Sequence, residues 1–286
     1  MATTITVLEL GNVSTDSTFA SRGRLPGQAT TTHPVYGYLI RGASDKPILV
    51  DTGYRNAEVL ERVGFTVDTP DGFGLAAQLA AQDLELGDLE MVVMTHLHLD
   101  HSGGIEHIPA HVPLVVNRRE LEFAAGGSQT LAYPPEDLHP TIDRIFQPGA
   151  MRFMDLELTG PIEIAEGVTC HLTGGHTPGS MTLRVDTDDG VATICGDVVY
   201  DAVCQLIQRP QVLAAAEPQI SNNFAVSSLA ESAAIKRALN GTRYLMPSHD
   251  PVSVIELSEV VAILDGHTVP GPSTPVDDDA TSSHLS

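Results

Sequence analysis

Within the stretch MTHLHLDHSGG, Met94 to Gly104, three imidazoles and one carboxylate fall inside six residues: His96, His98, Asp100 and His101. Such side chains bind divalent cations through nitrogen and oxygen, and no thiolate stands among them. The apolar run that leads in, MVVMTHL, reads as a buried strand. Residues two apart in a strand share a face, so His96 and His98 can point at one spot. The chain is expected to turn next at Asp100, His101 and SGG. There Gly103 and Gly104 would supply backbone angles that a β-carbon forbids, and Asp100 and His101 would face a second spot beside the first.

Three later segments share this design, a strand ending in a ligand-type residue followed by a turn: LTGGHTPGS with His176, TICGDVVYD with Asp197, and LMPSHD with His249. Together they complete two sites, His96, His98 and His176 for one ion and Asp100, His101 and His249 for the other, with the Asp197 carboxylate between them. Nitrogen and oxygen donors suit zinc, and iron, manganese or cobalt fit the same geometry. Two divalent ions less Asp100, Asp197 and a bridging hydroxide leave about one positive charge to meet a developing oxyanion, which a single structural ion would not need.

The elements that must hold these residues are mostly strands. Alternating or apolar runs bounded by turn residues predict strands at TITVLEL, VYGYLI, PILVDTG, MVVMTHL, VPLVVN, VTCHLTG, MTLRVDT, VATICGD and RYLMPSH. Helices are expected over Gly74–Asp83, Arg118–Ala125, Leu229–Asn240 and Val254–Leu264. The last two would start with capping boxes, Ser228 with Glu231 and Ser253 with Glu256, and Gly241 would end the third. Many strands, interspersed helices and no Gly-rich phosphate loop point to a two-sheet α/β core with helices outside, not a doubly wound nucleotide fold. Residues 1–266 are expected to form a single domain and the polar segment 267–286 a mobile tail. The least regular stretches, Gln129–Gly149 and Tyr200–Ser228, read as loops over the site, with Phe123, Tyr133, Phe146, Leu206 and Phe224 as candidate pocket residues.

Composition narrows the function classes. The 286 residues, 42% hydrophobic, can bury a large core. A formal charge of -22 repels phosphate backbones, which argues against nucleic acid as a partner. No run of about 18 apolar residues is long enough to cross a membrane, and the first residues lack a signal-peptide layout, so a cytoplasmic location is the default expectation. Three cysteines with no Cys-x-x-Cys pair, Cys170, Cys195 and Cys204, are expected to be reduced. The remaining histidines read as core or surface residues, and Pro109 between His107 and His111 breaks any helical ligand face.

THLHLDH, GGHTPGS, GD and SHD, in this order, resemble the metallo-β-lactamase superfamily over roughly Thr3 to Leu264. The resemblance implies an αββα four-layer sandwich, two facing mixed sheets with helices outside and metals at the sheet edge. PILVDTG also matches that family's early strand, which implies that Asp51 stands behind the ligands and orients them by hydrogen bonds. Within the superfamily the chain is most similar to the N-acyl homoserine lactonases and pyridoxolactonases, where a tyrosine follows the bridging aspartate by three residues, as Tyr200 follows Asp197. One departure is Ser180, which ends the His176 motif where many members carry histidine.

The resemblance implies a dimetal, zinc-type hydrolase that opens a lactone such as an N-acyl homoserine lactone by attack of a metal-bridging hydroxide. Tyr200 would donate to the oxyanion and Asp100 would pass the proton to the leaving alkoxide. Alternatives left open are a thioesterase or carboxylic-ester hydrolase of the glyoxalase II type and, remotely, a non-catalytic metal-binding protein. The expected partner is a small-molecule lactone or ester, with a homodimer allowed.

Overall fold

The computed structural model describes residues 2–16, 27, 30–127, 129–207 and 227–264. Seven strands form the first sheet: β1 (Thr4–Asp16), β2 (Thr30–Arg41), β3 (Ile48–Val50), β4 (Thr66–Asp68), β5 (Met91–Val93), β6 (Leu114–Asn117) and β7 (Met151–Met154), in the order β4-β1-β2-β3-β5-β6-β7. The second comprises β8 (Ile162–Ala165), β9 (Val168–Leu172), β10 (Met181–Thr187), β11 (Gly190–Gly196), β12 (Tyr244–Pro247), β13 (Ser253–Glu256) and β14 (Glu259–Ile263), in the order β14-β13-β12-β11-β10-β9-β8. Both sheets are mixed. β3, β5, β6 and β7 run parallel, as do β11 and β12, and the other pairs are antiparallel.

Alternation along the short central strands builds the layers. Ile48 and Val50, Met91 and Val93, and Val115 face inward, against Val168, Cys170, Leu183, Val185, Ile194 and Met246 of the second sheet. Their neighbours Leu49, Val92, Leu114 and Val116 face outward. There they pack with α1 (Ala57–Glu61), α2 (Leu75–Ala80), α3 (Leu99–Ser102) and α4 (Arg118–Ala125), through Leu60, Leu79, Leu99 and Leu121. Both faces of these strands are buried, which is why they read as unbroken apolar runs. Between β6 and β8 lie α5 (Pro135–Asp143) and the short α6 (Leu156–Thr159), and α7 (Ser228–Leu239) lays Ala234, Ile235, Ala238 and Leu239 on the outer face of the second sheet. The result is the αββα sandwich expected.

The sheets are also joined by hydrogen bonds at one end. Tyr36 N donates to Ser248 O at 2.9 Å and Tyr38 Oη to Pro247 O at 2.5 Å, drawing the end of β12 against β2.

Several local expectations are corrected. Val254–Leu264 is no helix: β13 and β14 form a hairpin whose two turn residues, Leu257 and Ser258, have φ of 51° and 66°. Val254, Ile255, Val260 and Val261 are β-branched and prefer strands, while the turn lacks the Asn or Gly that would have marked it. The cap of α7 is Ser227, one residue before the serine expected, and it accepts from Ala230 N. Gln129–Gly149 is not a loop throughout, since Pro135 opens α5 at a position where proline's missing N–H costs nothing. Residues 267–286 lie outside the described residues.

Candidate metal centre

The site lies at the ends of β5, β9, β11 and β12, in the loops that follow them. β5 stops at Val93, so His96 and His98 are not strand residues as expected: they lie in the loop before α3, and Asp100 and His101 occupy that helix's first turn. Nor do Gly103 and Gly104 adopt left-handed angles. Gly103 is αR, with φ -62°, and a β-carbon there would stand 2.0 Å from Arg55 N. These glycines are needed for close approach of α3 to the chain after Asp51, not for an unusual turn.

Two groups of ligand atoms come together. In the first, His98 Nδ1 lies 3.0 Å from His96 Nε2 and 3.0 Å from His176 Nε2. Asp197 Oδ2 completes it, 3.4 Å from His176 Nε2 and 3.7 Å from His96 Nε2. In the second, Asp197 Oδ1 lies 3.1 Å from His101 Nε2 and 3.3 Å from His249 Nε2, and Asp100 Oδ2 lies 3.2 Å from His249 Nε2. The structure thus brings together the seven residues expected as ligands, in two groups that could each hold a cation, and Asp197 turns one oxygen to each group. Among the described residues no third such group is found.

The donor geometry fits cations. Donor atoms about 2.0–2.1 Å from a tetrahedral centre are about 3.3 Å apart, and the separations given above, from 3.0 to 3.7 Å, bracket that value. His101 Nε2, His249 Nε2 and Asp197 Oδ1 are buried and make no aligned hydrogen bond despite their proximity. They crowd round a common point, and buried polar atoms in that state need a shared partner.

Partners behind the rings fix which nitrogen faces inward. His249 Nδ1 donates to the Pro34 carbonyl at 2.9 Å, and His101 Nδ1 donates to Asp51 Oδ2 at 2.8 Å. Thr95 Oγ1 donates to the same oxygen at 2.7 Å and sits 3.1 Å from His96 Nδ1, so the threonine relays Asp51 to a second ring. In each case Nε2 is left for the centre. Asp51 thus stands where the resemblance implied, at φ 59°.

Electrostatics separates the groups. Burial, with neighbouring imidazoles adding to it, lowers His96 far below its usual range, His98 to about 3 and His176 to about 4, so these rings are neutral donors at neutral pH. Burial opposes charge on His249 too, but Asp197 and Asp100 outweigh it and raise it to about 10. His101 is raised in the same way, by Asp197, Asp100 and Asp51 against burial. Positive charge is favoured at that point.

Tyr200 is buried and stacks on His249, centroids 4.9 Å apart and planes 5° apart, while its hydroxyl donates to Asp197 Oδ2 at 2.5 Å. Burial and then the Asp197 charge keep the phenol protonated. Of the pocket candidates, Tyr133 adjoins the site, tilted against His98 at 4.8 Å. Phe123 and Leu206 pack into cores, Phe146 is 80% exposed, and Phe224 lies outside the described residues.

Sequence reasoning missed Glu120 and Gln205, and it singled out Ser180 without giving it a role. Glu120 in α4 is 1% exposed and accepts from Leu97 N, Tyr133 Oη and Thr177 Oγ1; burial raises its carboxyl and these donors oppose the rise. Ser180 accepts from Thr177 N at 2.9 Å and closes the His176 loop. Gln205 accepts from Tyr200 N and Asp201 N at 2.6 and 3.0 Å, fixing the chain after Asp197. No spacing marks Glu120 or Gln205.

A family model described as the metallo-beta-lactamase superfamily matches residues 30–249. The chain belongs to that superfamily. It is 29% identical over 164 residues to an N-acyl homoserine lactonase from Bacillus sp and 27% identical over 165 residues to the N-acyl homoserine lactonase AiiA from Bacillus thuringiensis subsp. kurstaki. Each match covers 54% of this chain and 59% of the relative, so the chain spans less than two thirds of the length of these relatives. A solved N-acyl homoserine lactone hydrolase with N-hexanoyl-L-homoserine bound at its catalytic metal center is 21% identical, covers 87% of this chain and 94% of its own, and superposes with a TM-score of 0.65. That likeness shows the fold alone.

Proposed function

We propose that this superfamily member is a two-metal hydrolase that opens a lactone ring, with an N-acyl homoserine lactone or a related lactone as substrate. The observation that carries the reading is Asp197, which presents one oxygen to each ligand group beside a protonated Tyr200. The names of the relatives support the substrate class. His96, His98, His176 and Asp197 would hold one ion, and Asp100, His101, His249 and Asp197 the other. Two divalent ions there, zinc being the one this donor set suits, would supply the Lewis acidity that polarises a carbonyl and makes water a nucleophile near neutral pH.

The protein's own groups handle charge and protons. Attack by water on the lactone carbonyl puts negative charge on its oxygen, which the Tyr200 hydroxyl can take as a hydrogen-bond acceptor in exchange for Asp197. Asp100 has a side chain 11% exposed against 0% for Asp197, so it is the carboxylate that a reacting molecule can reach. It would accept the proton lost by water and return it to the alkoxide released when the ring C–O bond breaks.

A cavity of about 530 Å³ adjoins His249, within the usual range for a small-molecule pocket. Asn12, Thr31, His33, Tyr36, Asp201 and Asp250 bring hydrogen-bonding groups to it. That lining suits a short acyl arm carrying an amide or hydroxyl.

The test is a panel of homoserine lactones, simple γ- and δ-lactones, aryl esters and thioesters on metal-loaded protein, with Asp100→Asn as the control. Lactones with short or hydroxylated arms should be opened faster than long-chain ones. Turnover confined to thioesters, or none on any substrate, would overturn the reading. Tyr200→Phe should keep its metal and lose about ten- to a thousandfold in kcat; unchanged turnover would reduce Tyr200 to a packing ring.

A further inference from the structure

We propose that Glu120 is a positioning residue that sets the geometry of the three-histidine group and not of its neighbour. This inference rests on the metal-centre reading above. Its carboxylate is 1% exposed and reaches both segments that carry the three histidines. Oε1 accepts the amide of Leu97, the residue between His96 and His98, at 3.0 Å. The same oxygen accepts the hydroxyl of Tyr133 at 2.8 Å, whose ring lies against His98. Oε2 accepts the hydroxyl of Thr177, the residue after His176, and Thr177 is tied in turn to Ser180 at 2.6 Å.

The contact between α4 and the His176 loop is close enough to exclude a side chain. A β-carbon on Gly179 would stand 2.2 Å from Glu120 N and 2.4 Å from its Cα. Asn117, at the start of α4, donates to the Gly179 carbonyl at 3.1 Å and ties the loop to the helix a second time. Among the described residues, the Glu120 carboxylate hydrogen-bonds to Leu97, Tyr133 and Thr177 and not to residues 99–101 or 249, which carry the second group. Glu120 therefore holds the backbone and hydroxyls on either side of His96, His98 and His176, so that three rings from two separate loops meet at one point. Removing it frees each loop to drift, and a chelate of three rings tolerates little drift.

The experiment uses the full chain stripped of metal and titrated with Co²⁺, whose visible absorption reports the coordination of each ion, with uptake counted by elemental analysis. Glu120→Leu keeps the bulk and removes the acceptors; Glu120→Gln keeps one acceptor oxygen for Leu97 and an amide for the rotatable hydroxyls. The wild type is expected to take two ions. In Glu120→Leu the ion held by three histidines should bind about ten- to a hundredfold more weakly while the other is unchanged, and Glu120→Gln should restore most of the loss. Equal weakening of both ions would mean a general loosening of the fold and would overturn the proposal, as would no weakening of either, or failure of glutamine to rescue. If Glu120→Leu does not fold, Thr177→Val, which removes the Oε2 partner together with its tie to Ser180, must show the same one-sided loss. A wild type that takes up no metal would overturn the metal-centre reading and this proposal together; a two-ion wild type with an unaffected variant overturns this proposal alone.

Discussion

Asp51 and Glu120 are both buried carboxylates behind the same centre, yet they grip different things. Asp51 grips rings: it accepts from His101 Nδ1 directly and reaches His96 through the Thr95 hydroxyl, and its other oxygen holds Thr95 N at 2.8 Å. Glu120 directs its hydrogen bonds at the chain and not at a ring, through the Leu97 amide and the hydroxyls of Tyr133 and Thr177. The first arrangement fixes which nitrogen of a histidine faces the centre. The second fixes where the histidine's backbone stands. A centre assembled from loops of distant sequence needs both, because a correctly protonated ring on a wandering loop is no better placed than a fixed ring with its proton on the wrong atom.

Both braces depend on backbone running against backbone, and the largest expected effects come from forcing it apart. Gly103→Ala would drive a β-carbon to 2.0 Å from Arg55 N on the Asp51 side, and Gly179→Ala would drive one to 2.2 Å from Glu120 N on the other. In neither case is the obstructing atom the end of a side chain that could swing away. Each substitution should cost about 3 kcal/mol or more, read as a lowered urea midpoint of the metal-free protein. An unchanged midpoint for one of them would show that its side of the centre gives way, and the comparison would then be between a rigid brace and a soft one.

The two sides were unequally legible in the sequence. The seven ligand-type residues were readable because cation chemistry admits few side chains and their order along the chain is informative. Asp51 was readable only through the resemblance, as part of PILVDTG. Glu120 was not readable, because an acidic residue in the first turn of an amphipathic helix is what the helix dipole alone would favour, and its burial depends on how α4 packs against a loop some sixty residues later. The same holds for β13 and β14, where Ser253 and Glu256 have the spacing of a capping box. Local pattern suggested a helix, and edge pairing with β12 decided for a hairpin.

The next effect down separates the carboxylates by reach. Asp51→Asn places an amide where His101 Nδ1, Thr95 N and Thr95 Oγ1 all donate, so one of these donors is left facing another. Because Asp51 serves a ring in each ligand group, the affinity of both ions should fall about ten- to a hundredfold, measured by competition with a chelating dye. Glu120→Leu should move one ion only. If Asp51→Asn also moved one ion only, the Thr95 relay to His96 would carry nothing and the contrast between a two-sided and a one-sided brace would be lost.

The smallest effect tests that relay directly. Thr95→Val keeps the shape of the side chain and the Thr95 N contact to Asp51 Oδ1, while removing the hydroxyl that stands between Asp51 and His96. His96 Nδ1 is then left buried without that acceptor, at a cost of about 1 kcal/mol, or roughly fivefold in affinity. The loss should fall on the ion held by three histidines, since His101 keeps its own bond to Asp51. The same ion is the one that Glu120→Leu is expected to weaken, so the two changes meet at one site from opposite sides. If ring orientation and loop position are set independently, the double variant should show the product of the two losses. A loss in the double variant no larger than that of Glu120→Leu alone would mean that once the loop is free the ring's orientation no longer matters, and that the chain is held before the ring is.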